Sequence, residues 1–85
     1  MTIHIYKSAL CPRCAYAQNI IKKLKDEFLD IEVISYDIAT DFSAFKEAGI
    51  KMIPSIVVND NKKSWLLPTK SSLRDFVLEH TNLEA

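Results

Sequence analysis

The segment Ile3-His4-Ile5-Tyr6-Lys7-Ser8-Ala9-Leu10-Cys11-Pro12-Arg13-Cys14 contains both cysteines of the chain. Its first four residues are apolar or strand-favouring and give way to Lys7-Ser8, which predicts a strand that stops just short of the thiols. Beyond Cys14, Ala17, Ile20, Ile21, Leu24 and Phe28 recur at helical spacing, while Gln18, Lys22, Lys23, Lys25 and Glu27 fall mostly on the opposite side. A strand thus passes into an amphipathic helix at a Cys-x-x-Cys, and Pro12, which has no N–H to leave unpaired, suits the first turn.

Working outward, Ile31 to Tyr36 follows the break at Asp30 as a second strand. Strand, helix, strand in that order implies a parallel pair joined by a crossover helix. Phe42, Phe45 and Ala48 form a short helical face, capped by Thr40 or Asp41 and closed by Gly49, the chain's single glycine. After Pro54, Ile56-Val57-Val58 runs into Asn59-Asp60-Asn61, and Ser64 to Leu67 resumes an apolar run; this predicts an antiparallel hairpin. Ser71 or Ser72 is the expected cap of a last helix that turns Leu73, Phe76, Val77 and His80 inward, before a polar tail from Thr81 to Ala85. The predicted order is β-α-β-α-β-β-α, an α/β fold with a four-stranded mixed sheet flanked by helices. With no linker or repeat, residues 1–85 are expected to form one domain, working as a monomer.

Eleven basic and eleven acidic residues cancel to a formal charge of zero, which argues against a surface built for nucleic acid or an anionic membrane. The N-terminal residues carry no signal-peptide pattern, and no apolar run approaches the ~18 residues of a membrane span, so a soluble cytoplasmic protein is expected. With 48% apolar residues the chain reads as core-stabilised. Trp65, Tyr6, Tyr36, Phe42, Phe45 and Phe76 are read as packing residues. Tyr16 lies either beside the thiols or over the helix surface.

A bond between Cys11 and Cys14 closes too small a loop to be an effective staple, so reactivity or metal binding explains the pair better. A thiolate attacks a disulfide, and Cys11 stands where the free N–H groups and positive end of the first helix favour a negative charge. Arg13 and Lys7 are positioned to add positive potential, and Arg13 is expected to point outward toward a docked substrate. Cys14, one turn later on the same face, is the more shielded, resolving thiol. The alternative is a bis-thiolate metal-binding protein or metal chaperone using the same two sulfurs for a soft ion. A zinc site would need further ligands, for which only His4 and His80 are available, and both have ordinary structural explanations.

Ile5-Tyr6-Lys7-Ser8-Ala9-Leu10-Cys11-Pro12-Arg13-Cys14 resembles the opening of glutaredoxins, and Met52-Ile53-Pro54-Ser55 is similar to the second hallmark of the thioredoxin/glutaredoxin superfamily, an apolar residue and a cis-proline leading into strand three. The two hallmarks are in register, and the resemblance covers nearly the whole chain. It implies a thiol–disulfide oxidoreductase with Cys11 as nucleophile and Cys14 resolving. It also implies that Ile53 and Pro54 lie against the dithiol and bind the incoming chain, alongside Pro12, Arg13 and Lys7. Expected partners are disulfide-bearing proteins or low-molecular-weight thiols, with a reductase or glutathione as electron donor; no bound cofactor is expected, glutathione serving at most as reductant. The chain departs from glutaredoxins in having Ser8 where they carry a lysine, and Leu67-Pro68-Thr69-Lys70-Ser71-Ser72 where they carry paired glycines. It departs from thioredoxins in having Leu10 in place of a tryptophan and Ile5 in place of a buried aspartate.

Overall fold

A computed structural model describes residues 2–28 and 30–81. Seven elements follow in the predicted order: β1 Thr2–Lys7, α1 Pro12–Glu27, β2 Glu32–Asp37, α2 Phe42–Ala48, β3 Ser55–Val58, β4 Asn61–Ser64 and α3 Lys70–Thr81. The strands lie side by side as β2-β1-β3-β4, with β1 and β2 parallel and the other two pairings antiparallel. The tail predicted from Thr81 lies, beyond Thr81 itself, outside the described residues.

The two-residue alternation of β1 builds the layers. Ile3 and Ile5 are fully buried in one cluster with Ile21 and Leu24 of α1, Ile56 and Val58 of β3, and Leu73 and Val77 of α3. Burying side chains of this size contributes about 1.5–3 kcal/mol each. Tyr6, on the opposite face, stacks on Tyr36 at 4.6 Å and meets the edge of Phe45 in α2 at 5.2 Å. The sheet is therefore covered by α1 and α3 on one side and by α2 on the other.

Gly49 closes α2 in the left-handed region at φ 69°, as its position in the sequence predicts. Lys62 of β4 reaches across to donate to the carbonyls of Ala48 and Gly49, each at 3.1 Å, where the negative end of the helix favours a cation. A Cβ at residue 49 would stand 3.2 Å from that flexible ammonium group. Gly49→Ala is therefore expected to cost about 1–2 kcal/mol, mostly from the left-handed backbone, read as a lower urea midpoint at unchanged slope. Asp41 takes the capping position of α2, but its carboxylate accepts from Asp37 N–H at 3.0 Å instead of capping the helix.

The hairpin, the start of α3 and Phe42 differ from the expectations. The hairpin turn is Asn59-Asp60 alone, both at positive φ (48° and 69°), a two-residue geometry that suits the strand twist. Asn61 then pairs with Val58, so β4 begins three residues earlier than the apolar run suggested. Trp65, though buried against Phe76, has left the strand, while Leu66 and Leu67 are exposed. Thr69 rather than Ser71 or Ser72 caps α3: its Oγ1 accepts from Ser72 N–H at 3.2 Å, and Ser72 Oγ accepts from Thr69 N–H at 3.3 Å, a reciprocal box. Phe42 is 59% exposed, its ring facing the Lys46 ammonium at 5.9 Å. At the first turn of a seven-residue helix, only Phe45 reaches the sheet.

Candidate active site

Cys11 is the N-cap of α1, with extended backbone angles (φ −107°, ψ 109°), and Pro12 follows in the first turn. Its Sγ accepts the Cys14 N–H at 3.2 Å, one of the donors that a helix start leaves without a backbone partner. Cys11 is half-buried and Cys14 fully buried; both are free thiols. Partial burial opposes ionisation of Cys11, but hydrogen bonds from the Cys14 thiol and N–H, with a hydrogen bond and charge from Arg13, outweigh it and hold its pKa below that of an ordinary thiol. The Cys14 thiol is pushed up to about 11 by burial and by its hydrogen bond to Cys11, with a Ser8 N–H pulling weakly the other way. Ionisation is thus eased at one sulfur and opposed at the other.

The Arg13 guanidinium does not point outward. It turns back, Nη1 donating to the Leu66 carbonyl at 3.0 Å and Nη2 to the Ile53 carbonyl at 3.3 Å. One side chain therefore ties the dithiol loop to the segment before β3 and to the segment after β4. The Ile53–Pro54 peptide is cis, Pro54 is buried, and its carbonyl accepts from Trp65 N–H at 3.0 Å.

Lys7 is not part of this cluster. The parallel register sets it opposite Asp37, and the two pair at 3.7 Å. Asp37, which the sequence reading passed over, also accepts Ala39 N–H and Ala9 N–H, both at 2.9 Å, and so pins the loop leading to Cys11. Those two N–H groups, Ala39 first, and the Lys7 charge outweigh desolvation and hold its carboxyl below the usual carboxylate range. An acidic residue ending one strand and a lysine ending its neighbour were the available signal. Arg13→Met is expected to raise the Cys11 pKa, and Arg13→Lys to restore part of the shift; the pH dependence of iodoacetamide alkylation, followed by intact mass, reads this. An unmoved profile in both variants would remove Arg13 from the control of Cys11.

The two histidines are engaged elsewhere. His4 Nδ1 hydrogen-bonds the Tyr36 hydroxyl at 2.9 Å, and the His80 ring lies 4.6 Å from that of Phe76. Among the described residues no group of three or more His, Cys, Asp or Glu converges on a point that would hold a metal ion. No described helix is long and apolar enough to cross a membrane.

The chain and its fold have counterparts among known proteins. A family model described as a thioredoxin domain matches residues 1–77. The chain belongs to the thioredoxin family. It is 29% identical over 72 residues to a thioredoxin of Methanocaldococcus jannaschii, covering 84% of this chain and 85% of that one. A probable thioredoxin of Methanothermobacter thermautotrophicus is 33% identical over 60 residues, covering 69% and 71%. Among solved structures, a mutant thioredoxin from Halobacterium salinarum superposes with a TM-score of 0.78 at 15% identity, over 99% of this chain and 77% of the other. Mitochondrial thioredoxin 3 of Saccharomyces cerevisiae, in oxidised form, superposes at 0.74 and 15% identity, over 92% and 76%. The structures establish the same fold: a thioredoxin-like four-stranded mixed sheet flanked by three helices. The sequence relatives support thiol–disulfide oxidoreductase chemistry in this thioredoxin-family chain.

Proposed function

We propose that this thioredoxin-family protein reduces disulfides through the Cys11/Cys14 pair, with disulfide-bearing proteins as substrates and a reductase as electron donor. The single observation that supports it most directly is the Cys11 sulfur at the N-cap of α1, accepting the Cys14 N–H. The Cys11 thiolate attacks one sulfur of the substrate disulfide; that S–S bond breaks, a mixed disulfide forms on Cys11, and the departing thiolate takes a proton from solvent. With Cys11 in the mixed disulfide, its charge no longer opposes ionisation of Cys14, and the Ser8 N–H and Arg13 still favour it. Cys14 then loses its proton and attacks Cys11, releasing the second substrate thiol and leaving a Cys11–Cys14 disulfide. The substrate has gained two electrons, which the reductase must return.

Protein substrates suit the surroundings. Leu10, Met52 and Leu66, at 92%, 40% and 63% exposure, flank Cys11, Ile53 and the carbonyl that holds Arg13, an apolar rim of the kind that docking surfaces show. In this proposal Ile53 and Pro54 receive the substrate chain and Pro12 keeps the dithiol loop rigid. A dithiol that acts as a reductant needs a reducing compartment, so the proposal locates the protein, as a single-domain monomer, in the cytoplasm.

The test is equilibration in glutathione buffers of graded redox ratio, alkylation, and intact mass, beside insulin reduction driven by a thioredoxin reductase and NADPH. The expected result is a reversible internal disulfide without an accumulating glutathione adduct, and turnover with the reductase. An accumulating adduct with turnover on glutathione alone would overturn the choice of donor. No reversible oxidation at any ratio would overturn the redox reading itself.

A further inference from the structure

Between α1 and α3 lies a groove of about 280 Å³ that the dithiol chemistry does not use. Its α1 side is formed by residues spaced along one helical face, and Ile20 and Leu24, both buried, make an apolar floor. Glu27 is the one carboxylate in its lining, and Arg74 neutralises it through a two-pronged pair at 2.7 and 2.6 Å. The two lysines of the lining, Lys23 and Lys70, stand within 4 Å of no carboxylate among the described residues. Lys70 acts on Glu27 through its charge without contacting it, so the groove offers an apolar seat beside two cations neither of which makes a direct ion pair. Its volume falls just below the ~300–1,000 Å³ of small-molecule sites and suits one side chain with a neighbouring charge.

The groove also lies within reach of the thiols. Tyr16, two residues beyond Cys14 on α1, is half-exposed at its edge. Ile20 and Leu24 lie nine and thirteen residues beyond Cys11, the N-cap of the same helix, which is about 14 and 20 Å along its axis at the helical rise. An extended peptide covers that distance in about four to six residues.

We propose that this groove anchors the protein substrate whose disulfide Cys11 reduces, by seating an apolar side chain on Ile20 and Leu24 and pairing an adjacent Asp or Glu with Lys23 and Lys70. The inference rests on the proposed reduction of protein disulfides and adds to it a substrate class: disulfides with an apolar-acidic pair about five residues from the cysteine.

Two measurements on the full chain test it separately from the redox reading. In the first, peptide disulfides carrying Leu-Glu or Leu-Gln about five residues from cysteine are compared for kcat/KM with dithiothreitol as donor. Two partly exposed ion pairs predict about a three- to ten-fold preference for Leu-Glu at low ionic strength, shrinking as salt is added. The Lys23→Gln/Lys70→Gln variant is expected to bring the ratio to about one, and Lys23→Glu/Lys70→Glu to turn it toward a Leu-Lys peptide. Equal rates on both peptides with the unaltered chain, or a preference that survives both double variants, would overturn the groove as the anchor. In the second, a Leu-Glu peptide with serine in place of cysteine, which cannot exchange, is titrated while the Ile20 and Leu24 methyl groups are followed by NMR. Methyl shifts without peptide reduction would leave the groove standing and remove the redox reading; unmoved methyls would remove the groove even if both peptides are reduced.

Discussion

Cys11→Ser is expected to reduce disulfide exchange to the uncatalysed background, and Cys14→Ser to stop the reaction at a mixed disulfide that survives a mass measurement. The asymmetry follows from the environments of the two sulfurs. Cys11 is half-buried at a helix start, with its pKa held below the ordinary thiol value by donors from Cys14 and Arg13. Cys14 is fully buried and remains a thiol up to about pH 11 while Cys11 carries the charge. Serine at position 11 cannot supply a thiolate at any working pH. Serine at position 14 leaves the first attack possible but removes the sulfur that resolves it, so the adduct accumulates. The same contrast sets the expected order of alkylation: below pH 9 iodoacetamide is expected to label Cys11 first, since the thiolate is the reactive form and burial opposes ionisation of Cys14. Similar residual activity in both variants, or first labelling at Cys14, would contradict the assigned roles.

The second large effect is on stability. Ile56→Ala is expected to cost about 2–5 kcal/mol, because a buried branched side chain leaves a void that its neighbours only partly fill. Ile56 is fully buried in β3, opposite Ile5 of β1, at the centre of the cluster to which both α1 and α3 contribute. At roughly 0.05–0.15 kcal/mol per residue, an 85-residue chain has about 4–13 kcal/mol in total, so the loss takes a large share of it. Each kcal/mol lowers the melting temperature of a domain this size by about 4–8 °C. Ile34→Ala is the matched control: Ile34 is 41% exposed in the edge strand β2, and the same truncation there is expected to stay within about 1 kcal/mol. Urea melts of the two variants decide the matter, and comparable losses would show that Ile56 is not the centre of the core.

Some expectations that rest on local chemistry agree with the structure, although the cap of α3 is Thr69 and not Ser71 or Ser72. The helical spacing of Ala17, Ile20, Ile21 and Leu24 is the buried stripe of α1. Gly49 takes the left-handed turn that only glycine adopts without cost, and Pro12 occupies the first turn of the helix that Cys11 caps. Each depends on residues a few positions apart, where backbone geometry alone limits the choices. The β4 boundary shows where that stops, since an apolar run at Trp65-Leu66-Leu67 outweighed the polar Asn61 to Ser64 in the reading. The strand is instead set by a two-residue turn and by pairing with β3 at the sheet edge, where lysines are well tolerated.

By itself the sequence determined the order of the elements, the place of the dithiol at a strand-to-helix junction, and which faces of α1 and α3 turn inward, because hydrophobic period acts over one or two turns of chain. Only the tertiary structure decided what surrounds the sulfurs. Arg13 finds the carbonyls of Ile53 and Leu66, 40 and 53 residues away, and Lys7 finds Asp37 across a parallel register. The groove between α1 and α3 likewise joins residues that no local spacing connects. Such partners are chosen by the packing of helices on the sheet: a guanidinium or an ammonium pairs with whatever acceptor the completed fold brings within reach.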